Sequence, residues 1–303
     1  MSTISADVSG MSKPRAPSAW SRARRFVGLL GLAPFSIYVV LFLALPTVLA
    51  VTSGLFDGDG HLTWNNFSAL GDPVVLKTFW ASIWLSLLTA AVGAIGGAAV
   101  CYALLGIRST RPVRVIVDGA AGVLAQFGGV MLAFVFIATM GRNSLINQWL
   151  TGHGIDIYSS GMWLYAMPGL ILPYIYFQLP LMVITFMPAM EGLKPQWAEA
   201  NATLGGSRVT FWRRIGLPVL APSFMASYLL LFANSFSAYA TAAALASQGS
   251  QIVPLQIRAA LTSETVLGRQ NLAGALAAGM IVVMVIVMTG YAAIQRRAER
   301  WRS

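Results

Sequence analysis

Six long apolar runs constrain this chain more than any other feature. Crossing the roughly 30 Å hydrocarbon core of a bilayer takes about 20 mostly apolar residues in a helix. Windows of that kind fall at about 28–53, 79–106, 114–140, 161–188, 223–246 and 272–295. The runs are continuous rather than alternating, which fits spanning helices and not barrel strands. The third window differs from the rest in holding Asp118 and Gln126. Charged residues make up only 10% of the chain, against about 25% in an ordinary soluble domain. So few polar groups could not cover the surface of a water-soluble enzyme. Glycine and proline are scattered without a period, which excludes a fibrous chain. The expected fold class is therefore an all-α polytopic membrane protein with six transmembrane helices.

The charged residues then orient the spans. With the N-terminus inside, 16 of the 20 Lys and Arg residues fall in inside segments. The N-terminal tail holds Lys13, Arg15, Arg22, Arg24 and Arg25, and the C-terminal tail holds Arg296, Arg297, Arg300 and Arg302. By the positive-inside rule both termini are expected in the cytoplasm of a cell whose inner membrane the chain crosses. The net charge of +10 thus reads as topology charge rather than as a nucleic-acid footprint. Residues 1–27 are expected to form a flexible basic tail, residues 28–295 the six-span domain and residues 296–303 a second basic tail. The first apolar run is too long for a signal-peptide core and is expected to be retained.

Several chemistries are missing. A phosphate-binding loop needs a lysine after its glycines, yet Lys13, Lys77 and Lys194 are the only lysines and none follows a glycine. One cysteine, Cys101, and two histidines, His61 and His153, supply neither a disulfide framework nor a zinc cluster. No cofactor, metal site or catalytic residue is expected. Asp118 is the lone carboxylate within a window, and Arg114 one turn earlier is its expected ion-pair partner. A secondary transporter driven by buried ionisable groups is the rival reading. It has little to work with here. A purely structural membrane anchor is a second rival, disfavoured by the polar residues inside the spans.

The longest inside loop, about 189–222, carries the sharpest local pattern. Pro195 can open a helix in its first turn, and Gly205-Gly206 can end it, because glycine enters left-handed backbone freely. Ser207 is a good N-cap for a second short helix bearing Val209, Trp212 and Ile215 at i, i+3 and i+6, with Phe211 beside them. Pro218 and Pro222 are expected to close the unit before the fifth span.

Within this loop stand Glu199-Ala200-Asn201, Gly205 four residues on, and Ile215, Leu217 and Pro218 after nine more residues. The pattern resembles E-A-A-x-x-x-G-x(9)-I-x-L-P, the signature of the permease subunits of binding-protein-dependent ABC importers. Asn201, where that family prefers alanine, is the one departure. The resemblance covers the chain from about residue 28 onward, strongly at the loop and weakly elsewhere. It implies the type I ABC importer permease fold and a transport subunit that is not itself an enzyme. It implies a second permease chain, expected to be a different one, two cytoplasmic ATPase subunits and an external solute-binding protein as partners. It also implies that Glu199, Ala200, Asn201, Gly205, Trp212, Ile215, Leu217 and Pro218 belong to the ATPase-coupling loop.

The solute is less legible. Sugar permeases of the family often place Asp before the motif glycine, where this chain has Leu204. That substitution, with the run Leu41–Asn66 containing Phe56-Asp57-Gly58-Asp59-Gly60, resembles the spermidine/putrescine-like branch. A polyamine is the expected solute, with phosphonate, thiamine and iron as alternatives. Candidate pathway residues are Gln126, Tyr174, Gln178, Asn234, Ser237 and Tyr239. Asn234 and Ser237 share a helical face, which serves a polar pathway or interhelical hydrogen bonds equally well. Gly93, Gly96 and Gly97 read as a site of close helix packing.

Overall fold

The computed structural model describes residues 32–57, 59–107, 111–159, 161–246, 252–262 and 269–300. The tail expected at 1–27 lies outside them, as do residues 301–303. The chain divides into two units, Met1–Ala50 and Val51–Ser303. The described part of the first is a stretch of the apolar helix α1 (Leu32–Ser53), which contains a π-helical turn at Val40–Ala44. Its side chains, among them Phe35, Phe42 and Val48, are exposed.

Four helices of 20 residues or more frame the described part of the second unit. Helix α2 (Pro73–Leu104) starts where Asp72 accepts a hydrogen bond from the amide of Val74 at 2.7 Å, with Pro73 in the first turn. Helix α3 (Pro112–Gln126) also opens on proline. After a break at Phe127-Gly128 the chain continues as α4 (Gly129–Met140) and α5 (Leu145–Gly152). The third window is therefore two helices rather than the single run expected over 114–140. Gly129 takes φ +69° at the break, a conformation in which a Cβ is costly. Helix α6 (Ile171–Glu191) keeps Pro180 and Pro188 within its length; helices in membranes tolerate proline where neighbouring groups take up the freed carbonyls.

Beyond α6 lie the short helices α7 (Pro195–Thr203) and α8 (Arg208–Phe211). Helix α8 runs through a π-turn at Trp212–Gly216 directly into α9 (Leu217–Phe236), and α10 (Ala240–Leu245) follows. Pro218 and Pro222 do not close the loop unit: Pro218 sits in the first turn of α9 and Pro222 inside it. The physical reason is the π-turn. The amide of Leu217 bonds back to Trp212, and this longer i−5 pairing carries α8 into α9 without a break. Helix α11 (Val253–Thr262) hangs on α2 through a 2.8 Å bond from the amide of Val253 to Ser82 Oγ. Helix α12 (Arg269–Arg300) runs past the boundary expected at 295.

Two larger clusters, and a small one of Val75, Val253 and Leu276, fill the second unit. One, toward the α7–α8 end, packs Cys101, Leu104, Met182, Phe186, Leu220 and Phe232. The other, toward the opposite end, packs Leu85, Leu132, Leu164, Tyr174 and Leu245. Helices α2 and α6 approach closely because glycine faces side chain. A Cβ on Gly97 would lie 2.5 Å from Met182 Cβ, and one on Gly93 would lie 2.6 Å from Gln178 Cβ. The glycine reading of the second span holds at both positions.

Candidate functional site

The loop joining α6 to α9 is built as a rigid turn. Pro195 takes the first position of α7. At its other end Gly205 stands at φ +73°, donating to the Ala202 carbonyl at 2.9 Å while Gly206 donates to the Asn201 carbonyl at 2.8 Å. This satisfies carbonyls that a helix C-terminus otherwise leaves open. Ser207 then caps α8, accepting from the amide of Thr210 at 3.2 Å. The departure from the motif has a function of its own. The Asn201 side chain donates to the carbonyls of Gly206 at 3.0 Å and Ser207 at 3.2 Å, so it clips α7 to the start of α8 where alanine could not. Its amide also fills the space beside Gly206, against which a Cβ would collide.

The remaining motif residues divide by exposure. Glu199 and Ala200 are exposed on α7, and Leu204 is 88% exposed at its end. Val209 is 67% exposed, so it does not share a buried face with Trp212 and Ile215. Phe211 is the buried member of α8. Trp212 packs edge-on to Tyr102 of α2 at 5.3 Å, and Gly216 lies against its indole. Leu217 is exposed and Pro218 partly buried. Trp197, Asn201, Leu204, Gly205, Arg214 and Ile215 line an open groove of about 690 Å³.

At the base of this loop is a cluster that sequence reasoning saw only in part. Arg114 Nε donates to Asp118 at 2.7 Å, the expected pair, and its terminal nitrogen donates to Glu191 at 2.6 Å. Glu191 ends α6, 77 residues away, and no local spacing could have indicated it.

The pathway candidates separate into two groups. Tyr174 and Gln178 are fully buried. The Tyr174 hydroxyl donates to the Ala238 carbonyl at 2.8 Å. With its amide turned to satisfy both ends, Gln178 accepts from Thr89 Oγ1 at 3.0 Å and donates to the Leu231 carbonyl at 3.0 Å. Ser235 Oγ lies 3.0 Å from Thr89 Oγ1. This knot ties α2, α6 and α9 together; Ser235 is one of the polar residues legible in the fifth span, whereas Thr89 was not singled out in the sequence, since short hydroxyls are common in spans. Gln126, Asn234, Ser237 and Tyr239 are exposed. The break after Gln126 meets the break at Ser237–Tyr239, because a Cβ on Gly129 would touch Ala240 Cβ at 3.5 Å. The guanidinium of Arg258 sits over the Tyr239 ring, 6.0 Å from its centre. Around the Phe56–Gly60 run, Asn66 Nδ2 donates to the Phe56 carbonyl at 2.7 Å. Asp57 accepts from the amides of His61 at 2.9 Å and Asp59 at 3.0 Å, which hold its carboxyl below the ordinary range.

No family model matches the chain. Individual proteins do. The sulfate transport system permease protein CysW of Escherichia coli (strain K12) is 23% identical over 223 residues, which are 73% of this chain and 72% of that protein. The spermidine/putrescine transport system permease protein PotC of Haemophilus influenzae is 23% identical over 229 residues, 74% of this chain and 81% of the relative. Among solved structures, a chain of a bacterial ABC transporter involved in the import of the acidic polysaccharide alginate matches with a TM-score of 0.74 at 16% identity, covering 92% of this chain and 98% of that one. The fold is that of a multi-pass ABC importer permease, with six helices long and apolar enough to cross a membrane among the described residues. More narrowly, the relatives it resembles are permease proteins of transport systems, and the solved structure is of an ABC importer.

Proposed function

We propose that this chain forms half of a translocation pathway and couples it to ATP hydrolysis on a separate protein. The working assembly pairs it with a second, different permease chain, two cytoplasmic ATPase subunits and an external solute-binding protein. The observation that carries the reading is the α7–α8 turn: two short helices locked by Gly205 and Asn201, with Glu199 and Leu204 presented outward. A relay of force needs such a stiff, exposed element. Gly205→Asp puts a charged side chain into left-handed backbone, at a cost of about 1–2 kcal/mol, and Glu199→Lys replaces an acceptor with a donor on the docking face. Both are expected to abolish solute uptake while the chain still inserts and still binds the external protein. Near-normal uptake and stimulated hydrolysis in Glu199→Lys, with Trp212→Ala defective, would instead favour a loop that rests on lipid.

The solute we propose is small and charged. Leu204, the 41–66 run and the likeness to PotC support a polyamine. One observation favours a second reading, an oxyanion. A tyrosine face attracts cations, but one face of Tyr239 already carries Arg258, which repels an amine and attracts an anion. Uptake of spermidine and of sulfate into vesicles carrying the assembled importer separates the two. An Arg258→Gln variant should lose sulfate uptake under the second reading and keep spermidine uptake under the first.

A further inference from the structure

We infer that Arg114 is a positioning residue for coupling, a strut that carries displacement of the α7–α8 loop into α3. The inference rests on the reading that this loop docks on an ATPase. Arg114 is the third residue of α3, and its side chain is 6% exposed, whereas Asp118 and Glu191 are 44% and 54% exposed. One planar guanidinium thus reaches two carboxylates on different elements, Nε to its own helix and the terminal nitrogen to the end of α6. Such a fork fixes orientation as well as distance, which a lysine cannot do.

The location gives the fork its use. Only Gly192, Leu193 and Lys194 separate Glu191 from Pro195, so a push on α7 reaches Glu191 within one turn of chain. Arg114, Glu191, Lys194, Ala198 and Phe211 also wall one cavity of about 360 Å³, and Phe211 and Ala198 belong to the two loop helices. The loop therefore closes over the same space that the guanidinium floors. At its other end α3 stops at Gln126, beside the break that meets Ser237–Tyr239. A chain of contacts thus runs from the loop through Glu191 and Arg114 to the exposed polar candidates. A buried charge held between two half-exposed partners is weak support for stability alone, and coupling is the role that this geometry serves.

The test uses the assembled importer in vesicles and reads solute taken up per ATP hydrolysed. Glu191→Gln and Arg114→Met should co-purify with the ATPase and hydrolyse ATP, yet lower that ratio by about tenfold. Asp118→Ala removes only the pair within α3 and should change it by less than about twofold. Arg114→Lys should not restore the ratio, because a flexible ammonium does not fix the direction of the contact to Glu191 as the planar guanidinium does. If Glu191→Gln keeps the wild-type ratio, or if Asp118→Ala lowers it equally, the strut is refuted and the cluster is a local charge balance. Glu191→Gln alone decides the matter should Arg114→Met fail to fold. Failure of the wild-type chain to bind any ATPase would overturn the functional reading instead.

Discussion

At the scale of single residues, polar side chains in this protein do two different jobs, and exposure separates them. Gln178, Thr89 and Ser235 are buried and satisfy one another. Removing one partner should cost stability of the order of such interhelical bonds, about 0.6 kcal/mol on average. Ser235→Ala is expected to lower the thermal midpoint in detergent slightly and leave the uptake rate of the intact protein unchanged. Asn234, one residue earlier, is exposed. Asn234→Leu is expected to reduce uptake with the thermal midpoint and basal hydrolysis intact; unchanged uptake would remove it from the pathway. Asn201 is the third case. Its alanine variant matches the family pattern but loses two hydrogen bonds, each worth about 0.5–1.5 kcal/mol net. Faster amide exchange over residues 195–207 should report the loss, and unchanged exchange would show that the clip contributes nothing.

At the scale of elements, α2 and α6 were readable as spans, and their intimacy was readable from glycine. Gly97→Leu should drive a side chain into Met182, already 2.5 Å from where a Cβ would stand. Overpacking of this kind costs about 1–3 kcal/mol and should reduce the yield of folded protein. Gly119→Ala in α3 is the control, since nothing lies within 4 Å of its Cβ position. Alanine there should stabilise by about 0.5–1 kcal/mol. Equal losses from the two substitutions would refute the packing account. The loop helices were legible for the same local reason: Pro195, the Gly205-Gly206 pair and Ser207 each act on their own backbone. The break at Phe127-Gly128 and the continuity of α8 with α9 were not, because proline and glycine inside apolar runs have several local outcomes. Neighbouring helices select among them.

At the scale of the whole molecule, the charge distribution makes a prediction that packing does not. A reporter active only in the cytoplasm, fused after Ser303, should be active, and one inserted near Gly152 should not. The opposite pattern would invert the map and place the α7–α8 loop outside, where no ATPase can reach it. The purified chain should show no ATP turnover without a partner, since none of its lysines follows a glycine. Turnover that persists after removal of every other protein would contradict the transport-subunit assignment.

Apolar run length and the Pro195, Gly205-Gly206 and Ser207 signals determined on their own that the chain forms six helices apolar enough to cross a membrane and two short helices in its longest loop. Each is a local or additive property: a helix needs only its own residues to be long enough, and a turn needs only its own glycine. Tertiary structure decided everything that joins distant residues. It paired Arg114 with Glu191, turned Gln178 into a knot with Thr89, and set Arg258 over Tyr239. In an apolar solvent a polar side chain takes whichever partner the helices bring within reach. That choice depends on helix rotation and crossing, which α2 and α6 set through their glycines, and no reading of either segment alone contains it.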